Sequence, residues 1–255
     1  MGLNRTFFFD EANKLDEIIQ CLKTHGVAIV ENYLANESLK CITEDYEAYA
    51  ASEVDNTYLK ILDYSAGIGR KIIYKNLDSK LATKNVFGSK FFKDVAEGYL
   101  GEDFDLNKEI FVVEDVPASE HVAQQLHYDI ARTLKFFIYL EDTTVENGAF
   151  YCVPGSHKWT AERRIEFSDQ IIPGNRDFTR DLTDEYGEAI PIEGTAGTLI
   201  IFDTDVFHKA GKVSKGRRRV MRGHTRTLRE MNEQKQRFEA VNKKSLLQRI
   251  ISRLT

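Results

Sequence analysis

Residues 125–129 read Gln-Leu-His-Tyr-Asp, and His208 follows 81 positions after His127 (208 − 127 = 81). Short apolar runs alternate with turn signals in this part of the chain, so we expect residues 125–129 to be extended. Side chains two residues apart in an extended segment point to the same side, which places His127 and Asp129 on one face. His208 follows the apolar run 198–202, so a second strand can carry it to the same place. The pattern predicts that the three side chains meet at one mouth of a β structure.

Two histidines and one carboxylate on a single face are the ligand set of a facial metal site with three open positions, as in non-haem iron(II) oxygenases. A histidine hydrogen-bonded to a surface carboxylate would produce the same His-x-Asp spacing. The pair alone therefore does not distinguish a metal site from a hydrogen-bonded surface pair. Arg218 lies ten positions after His208 (218 − 208 = 10), across a turn at 215–216. Because a guanidinium can hold a carboxylate with two hydrogen bonds, Arg218 is a candidate anchor for a dicarboxylate bound at the metal.

Many short strands and few long helices characterise the second half of the chain. The apolar or alternating runs are 109–115, 133–140, 148–153, 198–202 and 218–223, with turn signals at 146–148, 154–156, 193–195 and 215–216. Such a pattern indicates a double-sheet β structure, that is, a jelly roll or double-stranded β-helix of the cupin type. Earlier in the chain, helical spacing at 10–25, 36–46 and 91–99 flanks a short apolar run at 27–30.

We therefore expect one domain over residues 1–255, with a β-rich α+β fold and flanking helices packed on the outer sheet. Its parts would be a helical region at about 1–108, the jelly-roll core at about 109–226 and a C-terminal helix at about 227–255. The polar stretch 160–186 is too long for a tight turn and is expected to form a loop over one mouth of the barrel.

Composition narrows the classes of protein that need to be considered. A net charge of −5 does not favour a nucleic-acid or anionic-membrane partner. Three widely spaced cysteines do not form a disulfide framework, and no apolar run is long enough for a signal peptide or a membrane span. These features predict a cytoplasmic protein. The apolar stripe 247–254 either packs on the barrel or forms a dimer contact, so both a monomer and a homodimer are compatible with the sequence.

An ordered set of motifs runs from residue 125 to residue 218. These are His127-Tyr128-Asp129, Leu140-Glu141-Asp142, Glu146-Asn147-Gly148-Ala149, Val153-Pro154-Gly155-Ser156-His157-Lys158, Gly197-Thr198-Leu199-Ile200-Ile201-Phe202, His208 with Gly211, and the arginine after Gly216. The set resembles the phytanoyl-CoA dioxygenase family of Fe(II)/2-oxoglutarate-dependent oxygenases. The resemblance is detailed over the central and C-terminal parts of the chain and faint near residues 26–30.

The resemblance implies that His127, Asp129 and His208 are the catalytic iron ligands and that Fe(II), 2-oxoglutarate and O₂ are required. It implies Arg218 as the anchor of 2-oxoglutarate, with Arg219 as the second candidate. Adjacent strand residues point to opposite faces, so the strand register decides between the two arginines.

Other candidates for contact with the co-substrate are Phe137, Lys135 and Gln124. Phe137 is equally compatible with a place in the core, and Lys135 with a solvated outer face if the register differs by one residue. The remaining histidines, including His157, are interpreted as structural. His224 is the exception, because it could share an inward face with Arg218.

A carboxylate at position 129 favours hydroxylation, since halogenating members of this family carry a small residue there. Desaturation, cyclisation and epimerisation remain alternatives, as does a non-catalytic cupin-like binding protein. The arginines between 217 and 226 either recognise an anionic group on a small-molecule substrate or form a solvated face. Nucleic-acid binding through 217–229 is the third class, which the acidic balance disfavours.

Overall fold

In the part of the chain that the structure describes, the strands form one eight-stranded and one three-stranded sheet. The computed structural model describes residues 5–10, 12–51, 58–60, 66–73, 81–101, 103–166, 187–233, 235, 236 and 239. The strands are β1 (Phe8–Phe9), β2 (Val27–Val30), β3 (Tyr58–Lys60), β4 (Ile68–Ile73), β5 (Phe104–Asp115), β6 (Leu134–Tyr139), β7 (Phe150–Val153), β8 (Ile190–Ile192), β9 (Leu199–Asp203), β10 (Phe207–Ala210) and β11 (Arg218–Thr227). The helices are α1 (Leu15–His25), α2 (Asn36–Ala51), α3 (Ala82–Phe87), α4 (Lys90–Leu100) and α5 (Ser156–Glu166), and another begins at 228.

The large sheet has the strand order β1-β2-β9-β6-β11-β5-β4-β3, and the small sheet has the order β10-β7-β8. All pairs are antiparallel except β1 with β2. Tyr139 joins the two sheets, because its buried hydroxyl donates to the Ile192 carbonyl (2.9 Å) and accepts from the Phe150 N–H (2.9 Å). The two sheets therefore pack face to face.

The two faces of the large sheet have different environments because side chains alternate along each strand. On β6, Phe136 packs against Phe92 of α4 with ring centroids 4.5 Å apart, while Lys135 and Phe137 face the space between the sheets. On β11, Met221 lies on the helix side, where its sulfur is 3.8 Å from the hydroxyl of Thr83 in α3. The expected β-rich fold with helices on the outer sheet is confirmed.

The apolar run 27–30 forms β2, which pairs with β9, and β4 pairs with β5, so the N-terminal region adds strands as well as helices to the large sheet. Two features differ from the sequence-based expectation. The expected loop 160–186 begins as helix, since α5 extends to Glu166, and residues 167–186 lie outside the described residues. β8 was not predicted because Pro191 interrupts its pattern, and the structure places it at a sheet edge, where proline is tolerated.

Most of the predicted C-terminal helix, including the stripe 247–254, lies outside the described residues. Within the described part of the chain, no helix combines the length and the apolar character that crossing a bilayer requires.

Candidate metal centre and cavity

A pair of backbone hydrogen bonds brings the His-x-Asp segment against β10. The His127 N–H donates to the His208 carbonyl (3.0 Å), and the His208 N–H donates to the His127 carbonyl (2.7 Å). The Asp129 N–H donates to the Thr204 carbonyl (3.0 Å), one turn before β10 begins. Two segments far apart in sequence are thus locked in register, and their side chains project to the same point.

The three predicted ligands offer atoms that all lie within 4.8 Å of one another. The Oδ1 atom of Asp129 is 3.6 Å from Nε2 of His127 and 3.9 Å from Nε2 of His208. Each Nδ1 lies 2.7 Å from a carbonyl oxygen, that of Gln125 for His127 and that of Val206 for His208. Donation from Nδ1–H to those carbonyls requires the tautomer with a lone pair on Nε2, which is the tautomer that binds a metal. The donor set fits a two-histidine, one-carboxylate metal site.

The electrostatic environment keeps these groups in their ligand forms. Burial raises the pKa of Asp129, but the Lys135 ammonium, 2.5 Å from Oδ2, is the largest opposing influence, and the pKa lies below its usual range. Burial, followed by the neighbouring His127, lowers the pKa of His208 well below its usual value. At neutral pH, Asp129 is therefore a carboxylate and His208 is a neutral imidazole, as metal ligation requires.

Arg164 of α5 holds the loop that follows Asp129. Its guanidinium donates to the carbonyls of Asp129 and of Ile130 (2.8 Å for Ile130), and its Nε and Nη2 both donate to Oδ1 of Asp205 (2.7 and 2.5 Å). The carboxylate of Asp205 is 3% exposed. Because Asp205 lies in the turn that leads into β10, one side chain links α5 to both halves of the ligand set. Sequence analysis missed Arg164, since the polar stretch around it was expected to be a loop.

The candidate metal site opens into a cavity of about 590 Å³ between the sheets. Lys135, Phe137, Arg218 and His224 all line this cavity. The inward face that His224 was predicted to share with Arg218 is therefore present. Burial, followed by Lys135 and Arg222, lowers the pKa of His224 to about 3, so its ring is neutral.

Arg218 is buried at the start of β11, where two groups fix its guanidinium. Nη2 pairs with the carboxylate of Asp115 on β5, and Nη1 donates to the Gly148 carbonyl (2.7 Å). Arg219 points to the other face of the sheet, where Nη1 is 3.0 Å from Oε1 of Glu47 in α2. The register of β11 thus places Arg218 in the cavity and removes Arg219 from consideration as a co-substrate anchor.

Two further predicted residues lie outside the cavity lining. Gln124 belongs to a 3-10 turn and donates its side-chain amide to the Ser119 carbonyl (3.0 Å), so its predicted contact with the co-substrate does not fit this geometry. His157 lies on α5, with Nε2 3.3 Å from the Lys23 carbonyl, which fits its interpretation as structural.

Comparison with known proteins supports the interpretation of this fold. Dioxygenase olcK from Penicillium canescens is 26% identical over 218 residues, which are 78% of this chain and 65% of olcK, just under two thirds of that relative's length. The epimerase SnoN, solved with Fe3+, alpha ketoglutarate and nogalamycin RO, superposes with a TM-score of 0.62 at 16% identity over 85% of each chain. HygX from Streptomyces hygroscopicus, solved with nickel and 2-oxoglutarate, gives 0.59 at 12% identity over 82% of this chain and 86% of HygX. The two solved structures share the fold.

The family profile described as Phytanoyl-CoA dioxygenase (PhyH) matches residues 22–220. That range includes all three candidate ligands, Arg218 and every strand from β2 to β10. The resemblance seen in the motifs is confirmed, and this chain belongs to the phytanoyl-CoA dioxygenase (PhyH) family.

Proposed function

We propose that this protein is an Fe(II)- and 2-oxoglutarate-dependent dioxygenase that hydroxylates a small-molecule substrate. The observation that carries the proposal is the convergence of His127, Asp129 and His208, whose candidate ligand atoms lie within 4.8 Å of one another at the wall of a cavity. The Fe3+ and alpha ketoglutarate in SnoN and the nickel and 2-oxoglutarate in HygX support the same metal and co-substrate class for this fold.

The residues of the chain would act by holding and orienting the bound groups. His127, Asp129 and His208 would hold the iron, and the carbonyls at Gln125 and Val206 would fix the two imidazole rings. When bound, iron would activate O₂, which is the oxidant: one oxygen atom and two electrons' worth of oxidation go to 2-oxoglutarate, which leaves as succinate and CO₂, and the other oxygen atom oxidises the substrate.

Arg218 is the proposed anchor for the far carboxylate of 2-oxoglutarate. Its guanidinium is held by Asp115 and by the Gly148 carbonyl, so its orientation on the cavity wall is fixed before any ligand enters. A fixed, charged donor loses little conformational entropy when it binds a carboxylate. Phe137 lines the same cavity, with its ring 4.9 Å from that of Phe202, and would close the apolar side of the co-substrate.

The carboxylate at position 129 favours hydroxylation or a related oxidation over halogenation, and hydroxylation is the reaction we propose. Desaturation, cyclisation and epimerisation use the same ligand set, and SnoN is described as an epimerase. Product analysis distinguishes these outcomes: hydroxylation adds one oxygen atom to the substrate, whereas desaturation removes two hydrogen atoms.

An anaerobic titration tests the proposal. Fe(II) and then 2-oxoglutarate are added to the metal-free protein while the visible charge-transfer band of their complex is recorded. We expect the band in the unmodified protein and its loss in His208→Ala. In Arg218→Gln the band should require about ten- to a hundredfold more 2-oxoglutarate, as expected for the loss of a charged hydrogen-bond donor.

Arg219→Gln is the matched control, because it removes the same charge from the opposite face of the strand. It should leave the 2-oxoglutarate dependence unchanged. A folded, metal-loaded protein that gives no band would refute the proposal and favour a non-catalytic binding protein. Equal effects of Arg218→Gln and Arg219→Gln would refute the assignment of the anchor alone.

A further inference from the structure

A row of polar side chains crosses the large sheet and ends at the candidate metal site. Nζ of Lys71 on β4 is 2.6 Å from Oε1 of Glu109 on β5, and Oε2 of Glu109 is 3.8 Å from Nε2 of His224 on β11. His224 pairs across the strands with Lys135 on β6, whose ammonium is 2.5 Å from Oδ2 of Asp129. The Cβ atoms of directly paired residues are about 4.5–5.5 Å apart, so His224 is the immediate neighbour of a side chain that contacts a predicted metal ligand.

His224 interrupts this row, because its imidazole makes no hydrogen bond. Within the described part of the chain, its ring nitrogens have no hydrogen-bond partner, and the 3.8 Å between Nε2 and Oε2 of Glu109 is too long for one. The side chain of His224 is 15% exposed, and both residues line the cavity. A largely buried polar group is normally hydrogen-bonded, so the gap between His224 and Glu109 is a place for a polar group of a ligand.

A hydroxyl group fits the gap between His224 and Glu109. An oxygen atom about 2.8 Å from both Nε2 of His224 and Oε2 of Glu109 would form a hydrogen bond with each. The carboxylate can only accept, and its negative charge favours the His224 tautomer with the proton on Nε2. One ligand atom must therefore accept a hydrogen bond from His224 and donate another to Glu109. A hydroxyl does both, whereas an ether or carbonyl oxygen only accepts.

The charges around the gap disfavour an ionic group there. Burial, followed by the positive charge of Lys135, lowers the pKa of His224 to about 3, although the carboxylate of Glu109 is only 3.8 Å away. An ammonium group in the gap would meet the same burial and the same repulsion. A carboxylate there would lie beside the carboxylate of Glu109, and two like charges at that distance repel each other. A neutral hydroxyl avoids both costs.

Apolar side chains line the cavity around the gap. The ring of Phe111 on β5 has its centroid 5.6 Å from that of the His224 ring, and Val122 and Phe137 line the same cavity. Such walls bury the apolar part of a ligand, while a few polar groups orient it. We propose that the substrate is a neutral hydroxyl compound with an apolar body, and that its hydroxyl binds between His224 and Glu109. This inference rests on the proposed function, which makes the cavity a substrate site.

Probes that share one carbon skeleton test the inference. Naphthylmethanol, naphthylethanol and naphthylpropanol carry the hydroxyl. The corresponding fluorides have nearly the same size but cannot donate a hydrogen bond, and the corresponding amines are cations at neutral pH. Binding to the protein with Fe(II) and 2-oxoglutarate is measured anaerobically by the fluorescence anisotropy of the naphthyl group. We expect at least one alcohol to bind about ten- to a hundredfold more tightly than its fluoride and its amine, as expected for a hydrogen bond to a charged acceptor.

Substitutions at the two polar residues locate the binding site. His224→Phe should reduce the preference for the alcohol over the fluoride by about three- to tenfold, and His224→Gln, which keeps a donor, should retain part of it. Glu109→Gln should also reduce the preference, because the hydroxyl loses its charged acceptor. The 2-oxoglutarate titration should be unchanged in all three variants. His25→Phe is the matched control, since it makes the same change in α1, outside the cavity lining. Thermal unfolding verifies that each variant is folded.

The outcomes separate this inference from the proposed function. Equal binding of alcohol and fluoride, tighter binding of the amine, or no binding of any alcohol overturns the inference. An unchanged preference in folded His224→Phe and Glu109→Gln also overturns it. If the charge-transfer band never forms but His224→Phe removes the alcohol preference, the hydroxyl site between His224 and Glu109 is supported and the proposed function is refuted.

Discussion

Replacing Arg164 with glutamine should destabilise the protein and weaken its metal site together. The change leaves the carboxylate of Asp205, 3% exposed, without the guanidinium that donates two hydrogen bonds to it. Breaking a buried ion pair by removing one member costs about 3–5 kcal/mol. Arg132, whose Nε is 3.8 Å from Oδ2 of Asp205, offsets part of this cost, so we expect about 3 kcal/mol. For a chain of this size, that corresponds to a fall in the thermal midpoint of about 6–12 °C.

Metal binding should weaken in the same variant because Arg164 also donates to the carbonyls of Asp129 and Ile130. Loss of groups that orient metal ligands commonly lowers metal affinity about 10–100-fold. Titration with Co(II), followed by visible absorption, measures this affinity without turnover. Lys158→Gln removes a charge from an exposed position on the same helix and should change stability by less than about 0.5 kcal/mol. An Arg164→Gln variant with normal stability and normal Co(II) affinity would refute the reasoning.

The pH dependence of the Arg164→Gln effect provides a second test. Burial, followed by the neighbouring Asp203, raises the pKa of Asp205 to about 6, while Arg164 acts to lower it. A carboxyl whose pKa is higher in the folded state gives stability at low pH that is lost as pH rises through that pKa. Without Arg164 the pKa of Asp205 in the folded state is higher still. Protonation of Asp205 therefore removes the unpaired buried charge, and the loss of stability that it causes, over a wider range of pH. The free energy of unfolding of the variant should therefore be closer to that of the unmodified protein at pH 5 than at pH 8. A difference in this free energy that urea unfolding shows to be the same at both pH values would contradict the prediction.

Two further substitutions test how the sheets and the first helix are joined. Tyr139→Phe leaves the N–H of Phe150 and the carbonyl of Ile192 without their hydroxyl partner. Urea unfolding should therefore show a decrease of about 1–3 kcal/mol in the free energy of unfolding. A decrease below about 0.5 kcal/mol would show that this link between the sheets contributes little to stability. In Gly26→Ala, the added Cβ would lie 2.7 Å from Nδ1 of His157, and the residue would have to keep a φ of +72°. Because both the contact and this backbone conformation are unfavourable for alanine, the free energy of unfolding should decrease by about 2 kcal/mol or more. An unchanged thermal midpoint in Gly26→Ala would contradict the close packing of α1 against α5.

Residue spacings that repeat over two to four positions were sufficient to predict much of the fold. The helical spacing over 10–25 predicted α1, which ends at His25 and is followed by Gly26 in the left-handed conformation. The His-x-Asp spacing and the later histidine predicted a ligand set that the structure brings together. These features depend on residues close in sequence, so each can be inferred from local patterns.

Strand register could not be inferred in the same way. Alternation along β11 establishes that Arg218 and Arg219 face opposite sides, but only the pairing of Arg218 with Asp115 on β5 decides which of them enters the cavity. The helical start of the polar stretch also depends on distant partners. Arg164 donates four hydrogen bonds to groups more than 30 positions away in the sequence. Local helix propensity does not include such contacts, so it could not predict this helix.

The sequence by itself determined the ligand types, their order and the two-residue alternation that sorts each strand into two faces, because these follow from local stereochemistry. Only the tertiary structure decided which face of each strand points into the cavity, and which arginine lies there. It also decided that α5, through Arg164, holds the segment that contains Asp129. Those outcomes depend on pairings between segments tens to more than a hundred residues apart, such as Arg218 with Asp115, whose free energies are set only when the sheets assemble.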